Sequence, residues 1–360
     1  MIKQLFKLRG EIDNRTNLIL IIFGIGFILL IWFLLTMGVN PLMKPSILPS
    51  PMRVFTAFGD LYQDNEIIKN TCLSIGLNMA GYVEAILISI PIGFLIGLFP
   101  FFKGSFHRPV DSFRYVPLTA LTGLFIVWFG IGTPMKVHFL AFGIVIYLLP
   151  IIVQRISEVN DVYLKTVYTL GASDWETIKT VYWPSVISRL SDDIRVLTAI
   201  SWTYIIVAEN MGSQGGIGSL IWKVGLRQGR VDKVFAMLLI IMVFGILQDR
   251  IFIRLDRYFF PHKYQTKDQH KKGKIEETNL FDAVIEFASV SLTWLLMGVY
   301  IVLFINEFFP ILGDTKILSY LFGDTVPVIH LLMWTLIIFR VYHFFVRSKK
   351  KAIQVQNATT

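Results

Sequence analysis

The chain has 360 residues, 54% hydrophobic and 16% charged, a net charge of +9 and a mean hydropathy of +0.61. That composition excludes an ordinary soluble domain, because several apolar runs reach the roughly 20 residues a helix needs to cross a hydrocarbon core. One cysteine, Cys72, excludes an intrachain disulfide and a thiolate metal site.

Residues 1–16 mix Ile2, Leu5, Phe6 and Leu8 with basic side chains, which suits either a surface-lying amphipathic helix or a plain tail. Membrane-spanning helices are expected near 18–37, 74–99, 115–132, 137–154, 192–210, 235–253, 284–306 and 325–346. The first follows charges, exceeds a signal-peptide core and lacks a small-residue cleavage site, so it reads as uncleaved. PSILPSP at 45–51 disfavours a regular helix between the first two spans.

Glu84 falls inside the second span, where a carboxylate faces a cavity or a partner. Thr119 and Thr122 lie three apart in the third. Thr198, Ser201 and Glu209 lie near one side of the fifth. These five residues suit either a polar translocation path or hydrogen bonds within and between helices. The glycine cluster of Gly212, Gly215, Gly216 and Gly218 lacks the preceding strand and the spacing of a phosphate cradle. Residues 261–278 form a polar linker that divides a six-span body from a two-span appendix.

The basic residues follow topology. With the N-terminus inside and the chain flipping at each span, roughly 24 basic residues fall inside and roughly 9 outside, as the positive-inside rule expects for eight spans with both termini cytoplasmic. This distribution argues for membrane topology and against nucleic acid. Attraction to anionic lipid is a secondary effect.

Residues 160–184, NDVYLKTVYTLGASDWETIKTVYWP, form a polar stretch between apolar runs and read as two short helices at a sharp corner. Gly171 suits the position past a helix end, where positive φ is easiest without a Cβ. Ser173 and Glu176 have capping-box spacing. Trp175, Ile178 and Tyr182 fall on one helical face, and Pro184 stops that helix and opens the next. Such an elbow is either a docking lever for a second protein or an ordinary loop with helical character. No Walker A, H-E-x-x-H, G-x-S-x-G or paired-carboxylate motif is visible, so no catalytic or metal-ligating residues are assigned. Lone histidines such as His138 and His330 read as packed or interfacial residues and not as ligands.

Taken together, these motifs resemble the inner-membrane permease subunits of binding-protein-dependent ABC importers, in the nitrate/sulfonate/taurine/bicarbonate branch. The family's cytoplasmic signature is EAA, three residues, Gly, nine residues, Ile-x-Leu-Pro. Here it stands as Lys165-Thr166-Val167, Gly171 and Val181-Tyr182-Trp183-Pro184, with TLGAS at 169–173. PSILPSP at 45–51, PLTALTGLFIVWFGIGTPMKV at 117–137, SWTYIIVAENMGSQGGIGSLI at 201–221 and VDKVFAMLLIIMVFGILQDRIF at 231–252 also match in order. The likeness covers about residues 20–262. It departs at the EAA triplet, whose glutamate is replaced at Lys165, and in the appendix, which lies outside the family pattern.

The resemblance implies a six-helix permease body at 17–262; with the tail at 1–16, the linker at 263–278 and the two-helix extension at 279–360, which are read from the sequence pattern alone, the expected fold is an all-α polytopic membrane protein. It implies that Lys165, Gly171, Ala172, Ser173 and Trp175, with Glu176, Ile178, Tyr182 and Pro184, couple the body to a cytoplasmic ATPase. ATP and Mg would be bound by that partner, and no cofactor by this chain. A second permease copy and an extracytoplasmic binding protein complete the implied assembly, in a bacterial inner membrane. The implied cargo is a small anion such as nitrate, sulfonate, taurine or bicarbonate. Two other readings stand beside it: a proton-coupled secondary transporter using Glu84, and a non-transporting membrane scaffold.

Overall fold

The computed structural model describes residue 7 and residues 14–38, 41–211, 215–264, 280–311, 313 and 316–358. Most of the 1–16 tail, Gly212 and most of the linker lie outside the described residues. Among the described residues the chain is helical and has no strand. It divides into two compact units. One holds residues 1–67, 220–244 and 264–290; the other holds 68–219, 245–263 and 291–360.

The first unit opens with α1 (Asn14–Thr36), apolar all round. α2 (Pro51–Asp64) starts where the Ser50 hydroxyl accepts from the Arg53 N–H, with Pro51 pre-set for a first helical turn. The Trp32 indole N–H donates to Pro49 O at 2.9 Å, which pins the proline-rich connection to α1. Arg230 reaches Asp60 at 2.6 Å and Asp232 at 2.8 Å, and Lys233 donates to Asn65 at 2.8 Å.

The second unit is built on α3 (Ile67–Leu98) and α6 (Thr133–Ser157). A Cβ on Gly81, Gly93 or Gly97 of α3 would come within 2.9 Å of Leu140, Ile152 or Ile156 of α6. The missing side chains therefore set the closeness of the two helices, as small residues do between membrane helices. α6 supplies much of the core, with Met135, Phe139, Leu140, Ile144, Leu148 and Ile152 buried. α9 (Trp183–Met211) packs along it, and α11 (Val231–Phe259) follows.

Among the described residues five helices are long and apolar enough to cross a membrane: Thr16–Thr36, Ile67–Leu98, Thr133–Ser157, Val231–Phe259 and Ile317–Tyr342. The expected third span is corrected. Residues 115–132 contain a 3-10 turn at Leu118–Leu121 and then α5 (Thr122–Phe129), only 8 residues long. Eight residues rise about 12 Å, well short of a hydrocarbon core. Pro117 caps the 3-10 turn and Gly130, at φ +73°, ends α5. With α4 (Pro100–Phe113), the segment makes a pair bent by 93°. The expected fifth span lies within α9, whose 29 residues are long enough but include Asp192, Asp193, Arg195 and Glu209 and fall outside the five.

The appendix is not a separate body. α12 (Leu280–Phe308), α13 (Ile317–Phe322) and α14 (Val326–Ala358) place Met297, Tyr300, Leu318, Ile329 and Ile337 in one cluster with Met79 of α3. Asp324 accepts from Thr133 at 2.8 Å, and Lys69 lies 4.2 Å from the Tyr320 ring centroid. A Cβ on Gly76 would stand 2.1 Å from Thr325 Oγ1 and 3.2 Å from Phe322. Gly76→Val is therefore expected to push the 322–325 turn off α3 and cost about 1–3 kcal/mol through overpacking. Thermal unfolding in detergent checks this, and an unchanged midpoint would contradict the packing.

Candidate functional site

The elbow is built from local hydrogen bonds. α7 (Asp161–Thr169) begins at Asn160, whose side-chain oxygen accepts from the Val162 N–H at 2.9 Å. At its other end the Gly171 N–H donates to Tyr168 O at 3.0 Å and the Ala172 N–H to Val167 O at 3.1 Å. Gly171 sits at φ +81°, and an added Cβ would meet nothing within 4 Å, so its constraint is torsional. One turn of helix, α8 (Asp174–Thr177), follows at once. The Glu176 N–H donates to Ser173 Oγ at 3.4 Å, and the Ser173 N–H donates back to Glu176 Oε2 at 2.8 Å. This capping box holds the Glu176 carboxyl below its ordinary range, first through the Ser173 backbone and then through its hydroxyl.

The helix expected after the corner does not run as a regular α-helix. Residues Ile178–Tyr182 form a π turn, and α9 starts at Trp183 with Pro184 in its first turn. The three side chains expected on one face differ in exposure. Trp175 is 72% exposed, whereas Ile178 and Tyr182 are half-buried and Thr177 and Val181 are buried. Tyr163, Tyr168 and Leu170 are exposed as well. Sequence reasoning missed them, although three large apolar or aromatic residues in an otherwise polar stretch were the available signal. Lys165 is exposed, and its carbonyl accepts from the Thr169 hydroxyl.

A charge clamp ties the chain on either side of the elbow. Arg155, near the end of α6, donates from Nε and Nη2 to the two oxygens of Asp193 on α9, each at 2.8 Å. Its Nη1 reaches Glu158 at 2.7 Å, and Arg189 approaches the same carboxylate at 3.5 Å. Arg155 and then Gln154 hold the Glu158 carboxyl below its usual range. A bidentate arginine fixes orientation as well as distance, so a push on the elbow has a stiff route into α6 and α9.

A second constellation joins α3 to α9 and the loop after it. Asn70, Ser74, Asn78 and Tyr82 recur at four-residue intervals and so share one face of α3. The Tyr82 hydroxyl donates to Ile194 O at 2.7 Å and accepts from Thr198 at 3.3 Å. Asn78 Nδ2 donates to Ser201 Oγ at 3.0 Å. Ser74 Oγ donates to Glu209 Oε1 at 2.6 Å and accepts from the Ile217 N–H at 2.9 Å. The Gly218 N–H donates to Glu209 Oε2 at 2.8 Å, and the Gly216 N–H donates to Asn70 Oδ1 at 2.8 Å. Gly216 has φ +98°, and a Cβ there would lie 2.3 Å from the Glu209 carboxylate. Lys136, 2% exposed, supplies the opposite charge nearby and reaches Gly215 O at 3.5 Å.

The five residues expected along a path therefore separate. Thr198, Ser201 and Glu209 are buried in the ladder, and Thr122 is buried with its hydroxyl on Thr119 O at 2.7 Å. Thr119 alone of the five is exposed. Glu84 is bonded to His138, Oε1 to Nδ1, at 2.7 Å, so His138 is a paired residue and not simply a packed one. His330 is paired too, with Tyr300 at 2.9 Å and Glu307 at 3.3 Å. Among the described residues no group of three or more His, Cys, Asp or Glu is gathered in a metal-holding arrangement.

Residues 89–259 match the family described as binding-protein-dependent transport system inner membrane component. The taurine transport system permease protein of Escherichia coli is 24% identical over 242 residues, covering 66% of this chain and 87% of that protein. The putative aliphatic sulfonates transport permease protein of Bacillus subtilis is 29% identical over 214 residues, covering 58% of this chain and 75% of that protein. A solved inward-facing methionine ABC transporter aligns with 53% of this chain and 95% of that chain at 16% identity and a TM-score of 0.49. The matched segment contains the elbow, the charge clamp and the α9 side of the ladder, and it is this segment, residues 89–259, that belongs with the permeases of binding-protein-dependent importers.

Proposed function

We propose that this chain forms the translocation path of an ATP-driven importer for a small anion, with taurine and other sulfonates the first candidates. The substrate class rests on the names of the two relatives above. The observation that carries the mechanism is the elbow: a capped, cornered and exposed helical segment inside the matched region, between α6 and α9, which Arg155 clamps to each other. Force from a separate ATPase enters at Trp175 and its exposed neighbours, and the ATPase chain holds the ATP and Mg. α9 carries the movement to the ladder, where Glu209, Ser74 and Asn70 hold the 215–218 loop as an outer gate. In this reading Thr198 and Ser201 brace the path wall from behind. The N- and C-termini and the elbow lie on the cytoplasmic side, and the Glu209 end of α9 faces outward, where a binding protein delivers solute to a pair of permease copies.

Reconstitution into vesicles tests the reading. Taurine uptake is expected only when the ATPase, ATP and the binding protein are all supplied. Accumulation by the chain alone under a proton gradient would overturn it in favour of a secondary transporter.

A further inference from the structure

We propose that Glu84 and His138 form a polar station on the water-filled wall of the translocation path, against which a small charged solute passes; this rests on the permease reading above. Glu84 stands 17 residues into a 32-residue helix, so about 25 Å of α3 precedes it and about 21 Å follows. It is therefore at mid-depth of a helix long enough to cross a membrane. Its partner, His138, comes from α6, and the Phe129 ring lies 4.4 Å from the imidazole centroid.

The contrast with the ladder is informative. Glu209 and Lys136 are enclosed, 0% and 2% exposed, and bonded on several sides. Glu84 and His138 leave 28% and 38% of their side chains open, and among the described residues the pair has no further polar partner. An ionisable side chain at the centre of a membrane helix is costly against hydrocarbon and faces a water-filled cavity or the bundle interior. Neither α3 nor α6 closes over the pair. The open side of Glu84 and His138 is thus a polar window at a depth where lipid would exclude it. In the assembled importer that window opens on water, with one carboxylate oxygen and the imidazole Nε2 available to a passing solute.

The test uses the assembled importer with Cys72→Ser as background, so that each introduced cysteine is the only one in this chain. Glu84→Cys, His138→Cys and the control Ile28→Cys are each exposed to membrane-impermeant thiosulfonates, one anionic and one cationic. Ile28 is 67% exposed on α1, which is apolar all round. Modification is expected at 84 and 138 and not at 28. At His138→Cys the cationic reagent should react about fivefold faster than the anionic one, relative to a free thiol, because a carboxylate raises the local cation concentration. That preference should vanish in His138→Cys with Glu84→Gln. Co-purification of the ATPase confirms that each variant is assembled. An assembled but unmodified Glu84→Cys and His138→Cys would overturn the proposal while leaving the permease reading intact. So would modification without charge preference, or equal modification of Ile28→Cys. Failure of the parent chain to bind an ATPase would overturn both.

Discussion

Trp175→Ala is expected to weaken docking of the ATPase by about 2–4 kcal/mol, the size of effect seen when a central aromatic anchor is truncated. The side chain is 72% exposed in the free chain and sits one residue into the capped turn of α8. It therefore presents a large apolar surface from a rigid base, which lowers the entropy lost on docking. Gly171→Val should act differently. The corner needs φ +81°, and a β-branched residue there meets the left-handed penalty of about 1–2 kcal/mol. The corner relaxes, α8 is re-aimed, and ATP turnover continues without uptake. Lys165→Glu restores the acidic residue of the family signature and should be tolerated or improve docking. Binding affinity separates the first variant from the second, and the ratio of solute imported to ATP hydrolysed reveals the uncoupling. Parent-like docking and coupling in both would reduce the elbow to a loop.

Glu209→Leu is the second large expectation. The carboxylate accepts from Ser74 and from the Gly218 N–H while offsetting buried Lys136. Removing one member of a buried charged set leaves the other uncompensated and costs about 3–5 kcal/mol. Glu209→Gln also removes the charge opposite Lys136, but it keeps a carbonyl acceptor and the side-chain shape, so its cost is expected below that of Glu209→Leu. Thermal unfolding should rank parent above Gln above Leu. Transport by Glu209→Gln equal to the parent, with unchanged stimulation by the binding protein, would remove the gate role and leave the ladder purely structural.

The elbow was legible because its determinants are local. Ser173 and Glu176 are three residues apart, and Gly171 lies just past the end of the helix it terminates. The π turn at 178–182 was not legible: nothing in its residue types distinguishes it from an α-helix, and Ile178 and Tyr182 are half-buried where Trp175 is exposed. The ladder pairs residues 112 to 146 positions apart, with Glu209 and Gly218 the exception at nine, so it depends on the register of α3 against α9. The four-residue recurrence of Asn70, Ser74, Asn78 and Tyr82 in an apolar helix was its one visible trace. Hydropathy averaging hid the break at 114–121, because Pro117 and a 3-10 turn alter the backbone without lowering the apolar content. The appendix was read from its linker as a separate piece, yet the close approach at Gly76 seats it on α3.

The central claim is that residues 160–184 meet an ATPase. Trp175→Cys, in the Cys72→Ser background, places a single thiol at the most exposed large residue of α8. A short photoactivatable crosslinker on that thiol should join this chain to the ATPase in the assembled importer, and the same reagent on a cysteine at Leu87 should not. A complex that assembles and hydrolyses ATP yet gives no crosslink from position 175 would contradict the account.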